Sequence, residues 1–421
     1  MTKTDPSKLT NERLTLLYHV SQVFNSTLEL DEVLNIVMDE VIAATQAERG
    51  FVVLRESDDK LAFHAARGID KSTIDDPQFQ VSQGVIAQVV ERGQPVLTSD
   101  AQSDDRFSGR ESVMDLGLRS ILCAPLKVKD KELGVIYVDN RLIAGIFTQD
   151  DLDMLNAIAS SAATAVENAR LYQVAVEKGR MERELQMAYK VQSSLIPEGI
   201  PQVPGWDFAA RWLPARVVAG DFYDFIQFDQ GELGLVTADV VDKGMPAALF
   251  MVFSRSILRA SVLRGGIPQD AITAANKLIC ADPVYGMFLT LVYCIIKPGS
   301  GDLTYINAGH NPPLFYRADQ DELSELTRTG MLLGVDEAAS YEQEIIRLGS
   351  GDLILFYTDG VCDAINPDQE AFGMARVRRV LLENKHRPAE DVVAALVDAI
   401  TNHTQSADQF DDITILAAKR S

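Results

Sequence analysis

The stretch DLDMLNAIASSAATAVENARLYQVAVEKGRMERELQMAYKVQSSL, residues 151–195, keeps a helical period throughout and contains no proline. Ordinary globular helices run roughly 8–20 residues, so this segment predicts a helix that joins bodies of structure. Along it Leu155, Ala159, Ala162, Val166, Ala169, Gln173 and Val176 step alternately by four and three, the heptad spacing of a coiled-coil seam. Past Gly179 a second ladder, Met181, Leu185, Ala188, Gln192 and Leu195, starts one residue late, and such a skip changes the local winding of a coiled coil. Two readings stand: a helix packed on its own domain with a bend at the offset, or a dimeric connector whose rotation or unwinding carries a signal downstream.

On both sides the period changes. Upstream, the helical patterns ERLTLLYHVSQVFNS and LDEVLNIVMDEVIAAT precede short strand-like runs, RGFVVLRE, LAFHAARG, QPVLTSD, RSILCAPLKV and ELGVIYVDN, separated by turn residues. Downstream, the prolines of LIPEGIPQVPGW end the long helix. There WDFAARWLP, FYDFIQFD, GELGLVTAD, MFLTLVYCIIKP, GDLTYINAG, PLFYRA, YEQEIIRL, GDLILFYTD and DDITILAAKR predict strands, and PAALFMVFSRSILRASVL, QDAITAANKLICAD and AEDVVAALVDAITNHT predict helices. Many strands without regular alternation with helices imply an α+β fold of mostly antiparallel sheets with helices packed outside. The predicted boundaries are 1–170, 171–196 for the helical connector, and 197–421.

With 421 residues, 47% of them hydrophobic, the chain holds material for two or three cores. Its net charge of −22 is spread over both halves, −10 over residues 1–200 and −12 over 201–421, which argues against a nucleic-acid partner. The four cysteines form no CxxC pair and read as reduced, buried side chains. Without a signal-peptide core or an uncharged apolar run of roughly 20 residues, the expectation is a cytoplasmic protein with no membrane span. The five histidines never fall at metal-ligand spacing.

Four aspartates share one placement. Asp239 closes LGLVTA, Asp359 closes LILFYT, Asp221 follows VVAG at the entry to FYDF, and Asp411 precedes DITILAA. Each alone reads equally well as a turn residue. Meeting at one rim of a sheet, however, four carboxylates would repel one another unless a cation lay between them. Oxygen-only ligands suit hard ions, Mg²⁺ or Mn²⁺. Gly220, Gly244 and Gly360 flank the acids and allow close backbone approach.

These motifs, SSLIPEGIPQVPGWDFAARWLPARVVAGDFYDF, ADVVDKGMPAALFM, GDLTYINAGHNPPLFY, LLGV, GDLILFYTDGVCDAINPDQEAFG and FDDITILAAKR, resemble in order those of the SpoIIE-type branch of metal-dependent serine/threonine phosphatases, relatives of the type 2C phosphatases. The resemblance spans roughly residues 192–420. It implies a central β-sandwich flanked by helices, and Asp221, Asp239, Asp359 and Asp411 as catalytic ligands of two divalent metals, Mn²⁺ or Mg²⁺, with the Val240 carbonyl completing the set. It further implies that a water activated by the metal pair attacks a phosphoserine or phosphothreonine directly, with Gly220, Asp224, Gly360 and Asp412 auxiliary. The chain departs from the family at Ala219, where glycine is usual, and at Val241 and Asp242, where a Ser-Gly pair is usual; no metal ligand is missing. His310, in NAGHNPP, reads either as a residue fixing the turn after LTYIN or as a general acid. Lys243 reads either as a phosphate-steering or as a solvated side chain.

DDRFSGRESVMDLGLRSILCAPLKVKDKELGVIYVDN and FTQDDLDMLNAIASSAATAVENARLY resemble the late strands and closing helix of GAF domains. Cys123 lies inside a strand with no Cys-His pair, which disfavours a tetrapyrrole. Asn140, Arg141, Phe147 and Asp151 trace part of a cyclic-nucleotide motif, with Leu152 in place of its closing acid. A cyclic nucleotide, another small ligand and a purely structural or dimerising role all stay open, and the GAF ligand is unknown.

The resulting expectation is a GAF-regulated protein phosphatase, homodimeric through the GAF domain and connector. By resemblance it acts on a phosphorylated anti-sigma-factor antagonist. One competing reading is a non-catalytic dimeric scaffold whose phosphatase-like domain only binds a partner; another is a small-molecule or nucleotide phosphatase that uses the same metals and differs only in substrate.

Overall fold

Runs of alternating apolar residues form strands, and runs of helical period form helices, in a computed structural model of the chain that describes residues 18, 22, 30–56, 60–77, 81–104, 116–282 and 286–421. Contacts divide it into two units, Met1–Arg180 and Met181–Ser421.

The first unit contains α1 (Leu30–Thr45), β1 (Arg49–Arg55), β2 (Leu61–Gly68), α2 (Gln83–Arg92), β3 (Val96–Thr98), β4 (Ser120–Val128), β5 (Lys131–Asn140) and the start of α3 (Gln149–Ser193). The strands form one antiparallel sheet in the order β2-β1-β5-β4-β3. Strands buried on both faces need cover on both. Val33, Leu34, Val37 and Met38 of α1 pack over one face together with Leu155, Ile158 and Ala162 of α3. Val85, Ile86 and Val89 of α2 close on Phe51, Cys123 and Tyr137 across the other.

A buried ion pair joins the start of β1 to the end of its neighbour β5. Arg49 donates from Nε and Nη2 to Asp139 Oδ1 and Oδ2 at 2.9 and 2.7 Å. Burial pushes the Asp139 carboxyl upward while Arg49 opposes that shift.

The second unit adds β6 (Trp206–Leu213), β7 (Phe222–Gln227), β8 (Leu233–Val240), α4 (Met245–Leu263), α5 (Pro268–Ala281), β9 (Leu289–Lys297), β10 (Asp302–Ala308), β11 (Leu314–Arg317), β12 (Glu322–Glu325), β13 (Glu344–Arg347), β14 (Leu353–Tyr357), α6 (Asp359–Asp363), α7 (Gly373–Asn384), α8 (Ala389–Thr404) and β15 (Ile413–Arg420). Two antiparallel sheets result, β13-β10-β9-β8-β7 and β12-β11-β14-β15-β6. Their inner faces share one core, in which Phe208, Ile354, Phe356 and Leu416 of the second sheet meet Phe222, Leu235, Tyr293 and Ile306 of the first. Residues of α4 and α5, among them Phe250, Leu258 and Ile272, belong to that core. Val377, Leu381, Val393 and Leu396 of α7 and α8 cover the outer side of the second sheet. This is a sandwich with helices outside.

By length and composition α4 is the one described helix apolar enough to cross a membrane, and half of its window is buried. It carries Arg255 and Arg259, both engaged with Asp224.

The helical pattern at residues 12–26 lies almost wholly outside the described residues, as does the stretch 105–115 of the GAF motif. The strand-like and helical runs named above did not include α2, α6, α7 or β12. β12 is a polar four-residue edge strand (ELSE), and α7 carries three arginines with only three buried apolar side chains, so neither shows a strong apolar period. α2 is rich in β-branched residues (QGVIAQVVER), which weakens a helical reading.

Replacing Arg49 by Met leaves Asp139 buried without its counter-charge. Chemical unfolding should show the first unit destabilised by about 3–5 kcal/mol, with much of this recovered in the Arg49→Met/Asp139→Leu double variant.

Candidate active site

The carboxylates gather at one end of the sandwich. Asp239 stands near the end of β8, Asp221 immediately before β7 (the neighbour of β8), Asp359 just after β14, and Asp411 just before β15 (the neighbour of β14). Adjacent strands of the two facing sheets thus deliver one pair each to the same rim.

The electrostatics register the convergence. Burial, reinforced by the charges of Asp239 and Asp412, pushes the Asp221 carboxyl well above the usual carboxylate range. Burial and the charges of Asp359, Asp411 and Asp412 carry Asp239 up to about 7. Burial and the charges of Asp411 and Asp363 raise Asp359. These are the shifts expected of like charges crowded in a low dielectric.

Backbone geometry shapes the rim. Asp412 spends both carboxylate oxygens on main-chain donors, Oδ1 accepting from Ala215 N and Oδ2 from Gly220 N, each at 2.7 Å. It therefore ties the β6–β7 connection to the start of β15. A Cβ on Gly360 would lie 2.0 Å from the Asp412 carbonyl oxygen, so only glycine lets α6 begin there. A Cβ on Gly220 would lie 3.1 Å from the Val240 carbonyl oxygen, which places that carbonyl beside the segment entering Asp221. Trp212 Nε1 donates to the Asp221 carbonyl at 2.9 Å.

Asp224, expected beside these acids as an auxiliary group, lies apart from them. Its carboxylate is 2% exposed and pairs with Arg255 and Arg259 of α4 at 2.9 and 2.8 Å. The reason is strand parity: Asp221 and Asp224 are three residues apart, and side chains alternate faces along an extended chain.

His310 fits the turn reading. It is fully buried, its N–H donates to Asn307 Oδ1, and its ring Nδ1 faces Thr290 Oγ1 at 2.7 Å. Burial lowers its pKa to about 4, so the ring is uncharged near pH 7 and not the imidazolium that a histidine general acid requires, while its Nε2 is buried without a hydrogen-bond partner. Lys243 is neither free nor simply solvated: its Nζ lies 2.9 Å from Asp411 Oδ2, donates to the Phe410 carbonyl, and sits 3.8 Å from the Phe410 ring centroid. Asp242 has φ 75°, a left-handed conformation that aspartate tolerates better than most residues at a position where the family usually has glycine.

The donor set fits a hard divalent cation. All its side chains are carboxylates, and Asp221 Oδ2 is buried with no hydrogen-bond partner, a costly state unless a cation takes it up. As they stand, no three His, Cys, Asp or Glu side chains among the described residues are close enough together to hold a metal ion. Asp411 gives Oδ2 to Lys243 and accepts the Asp412 N–H at Oδ1, and Asp412 gives both of its own oxygens to the backbone.

In the first unit, the residues that traced a nucleotide motif serve local structure. Asn140 Oδ1 accepts from the backbone N–H groups of Leu142 and Ile143. Arg141 pairs with Glu48, Phe147 is buried in the core, and Asp151 accepts from the N–H and hydroxyl of Thr148 at the start of α3.

A helix-flanked sandwich with acidic residues at one end defines the PP2C-like fold class. The SiaA-PP2C domain of Pseudomonas aeruginosa superposes with a TM-score of 0.54 at 19% identity, covering 59% of this chain and 100% of that one. Residues 229–421 match the family model for stage II sporulation protein E (SpoIIE), and residues 27–167 that for the GAF domain. The chain thus joins a stretch that matches the GAF-domain model to a following stretch that matches the SpoIIE model and has a PP2C-like fold. Asp239, Asp359 and Asp411 lie inside the matched stretch and Asp221 just ahead of it.

Among curated relatives, protein IcfG of Synechocystis sp. is 29% identical over 69% of this chain and 48% of its own length. Phosphoserine phosphatase RsbU of Bacillus subtilis is 26% identical over 57% of this chain and 71% of its own. The chain therefore spans about half the length of IcfG.

The raised Asp239 pKa has a sign. In metal-free protein the folded state holds a proton that the unfolded state has lost, so this group removes stability as pH rises from about 4 to about 7, with no further loss above. In chelator, Asp239→Asn should accordingly gain stability relative to the parent between pH 5 and pH 8, on the order of 2 kcal/mol. Equal melting temperatures for the two proteins at every pH would contradict this.

Proposed function

We propose that the chain is a metal-dependent phosphoserine/phosphothreonine protein phosphatase whose C-terminal domain carries the chemistry and whose GAF domain regulates it. The observation that carries the proposal is the convergence of Asp221, Asp239, Asp359 and Asp411 at one sandwich rim, where the buried Asp221 carboxyl lies against that of Asp239. In this reading those four side chains and the Val240 carbonyl hold two divalent cations, Mn²⁺ or Mg²⁺. Bound there, the cations would lower the pKa of water to supply a nucleophile near neutral pH and offset charge developing on the phosphoryl group.

The remaining work falls to the chain itself. Asp412 holds the Ala215 and Gly220 amides so that the loop entering β7 keeps its shape. Lys243 holds Asp411 and, with Arg216, brings positive charge to an open groove also lined by Ile365, Pro367 and Phe410. That groove runs beside the acidic rim and suits a phosphorylated segment of a protein substrate. None of the four free cysteines takes part, and attack is direct, with no covalent phospho-enzyme.

The similarity to RsbU, a phosphoserine phosphatase, supports a phosphoserine substrate, and the proposal extends this to a phosphorylated anti-sigma-factor antagonist in a partner-switching pathway. Residues 1–170, 171–196 and 197–421 are the proposed sensory, connector and catalytic segments. Seam positions Val176 and Met181 of α3 are exposed, 49% and 60%, which supports a second copy of the chain as their cover. A cytoplasmic setting belongs to the same proposal.

Asp239→Asn should reduce Mn²⁺-dependent hydrolysis of p-nitrophenyl phosphate and of a phosphoserine peptide to background while the fold persists. Turnover insensitive to chelator, or retained by this variant, would contradict the proposal. Deleting residues 1–170 should change specific activity; identical rates with and without them would argue against regulation.

A further inference from the structure

The segment Ala219-Gly220-Asp221 lies between β6 and β7 and belongs to no strand. It is nevertheless buried, so its main-chain groups need partners that no neighbouring strand supplies. Side chains take that place. Gln192, in the last turn of α3, donates from Nε2 to the Ala219 carbonyl at 2.6 Å and accepts from Ala219 N at its Oε1 at 3.0 Å. Asp412 accepts from Gly220 N. Trp212 donates to the Asp221 carbonyl, and its ring stacks on Tyr189, one turn before Gln192, at 6.0 Å and 1°.

Gln192 is 2% exposed. A glutamine amide presents a donor and an acceptor side by side and so mimics the edge of a strand. Asparagine has the same pair on a shorter stem, and glutamate has no donor when ionised. The heptad reading placed Gln192 on a seam toward a partner helix; it turns instead into its own unit and bonds Ala219, which stands two residues before a proposed metal ligand.

We infer that Gln192 is a positioning residue: its amide fixes the Ala219 peptide and thereby presents the Asp221 carboxylate to the metal site. Trp212 completes the clamp from the far side of Asp221. This rests on the phosphatase reading, because the consequence of the clamp is metal affinity and turnover. A side chain that merely packs would contribute stability alone, whereas a group that orients a metal ligand changes affinity by about 10- to 100-fold.

The test uses the full chain with Gln192→Met, which keeps the length of the side chain and removes both hydrogen bonds. Three quantities are read: Mn²⁺ affinity from the free-ion signal in electron paramagnetic resonance, kcat and KM for p-nitrophenyl phosphate, and the melting temperature in chelator. The core variant Ile196→Val, in the same segment with no polar contact to the site, controls for packing.

The expected result is Mn²⁺ affinity and kcat lowered about tenfold or more with KM changed less than about twofold at saturating Mn²⁺, while Ile196→Val leaves all three near the parent. Affinity and kcat within about twofold of the parent in folded Gln192→Met would overturn the inference. Should Gln192→Met not fold, Trp212→Phe decides: it keeps a stacking ring and loses only the donor to Asp221. Weakened Mn²⁺ binding there supports the clamp and parental binding overturns it. A parent chain that neither binds Mn²⁺ nor turns over would sink the phosphatase reading itself, a result distinct from a variant that merely equals its parent.

Discussion

Like charge held close in a medium of low dielectric is the constraint on which the second unit depends. Burial and mutual repulsion raise the pKa of Asp221, Asp239 and Asp359 above the ordinary carboxylate value, so each holds its charge at a cost. Repulsion among them opposes the folding that brings them together, and a fold that keeps such a cluster is holding free energy available to a cation. The two sheets make the cluster possible because each contributes one pair of acids from neighbouring strands, and a shared core of aromatic and aliphatic side chains locks the sheets face to face.

Holding the acids is a backbone problem as much as a side-chain one. Asp412, Gln192 and Trp212 satisfy main-chain groups around Asp221 that no strand reaches, and Gly360 admits the Asp412 carbonyl at a distance any side chain would block. These residues lie on α3, β6, α6 and the start of β15, so the geometry at one carboxylate depends on elements scattered through the second unit. The first unit follows the same logic with a different outcome: its buried charge, Asp139, already has its cation in Arg49.

Much of this was legible in the residues. Carboxylates closing apolar runs marked β8 and β14, and the acid ahead of DITILAA marked β15, because a strand's apolar period and its abrupt polar end are local signals. The long helix was equally plain from its uninterrupted period. What stayed hidden were choices made by tertiary packing. Asp224 sits in the same apolar run as its neighbours, yet strand parity turns it toward Arg255 and Arg259. Gln192 satisfies a heptad spacing while its amide faces inward. Asp412 stands next to a proposed ligand but is consumed by two backbone amides. The short polar β12 and the arginine-rich α7 are held by the sheet and core they join, with little period of their own to betray them.

Counting bound metal tests the account most directly. Equilibrium dialysis of the full chain against Mn²⁺, followed by elemental analysis, should find about two ions per chain, lost in an Asp221→Asn/Asp359→Asn double variant whose fold is intact. No bound Mn²⁺ in the parent, or the same number retained by the double variant, would show that these carboxylates gather for some other reason.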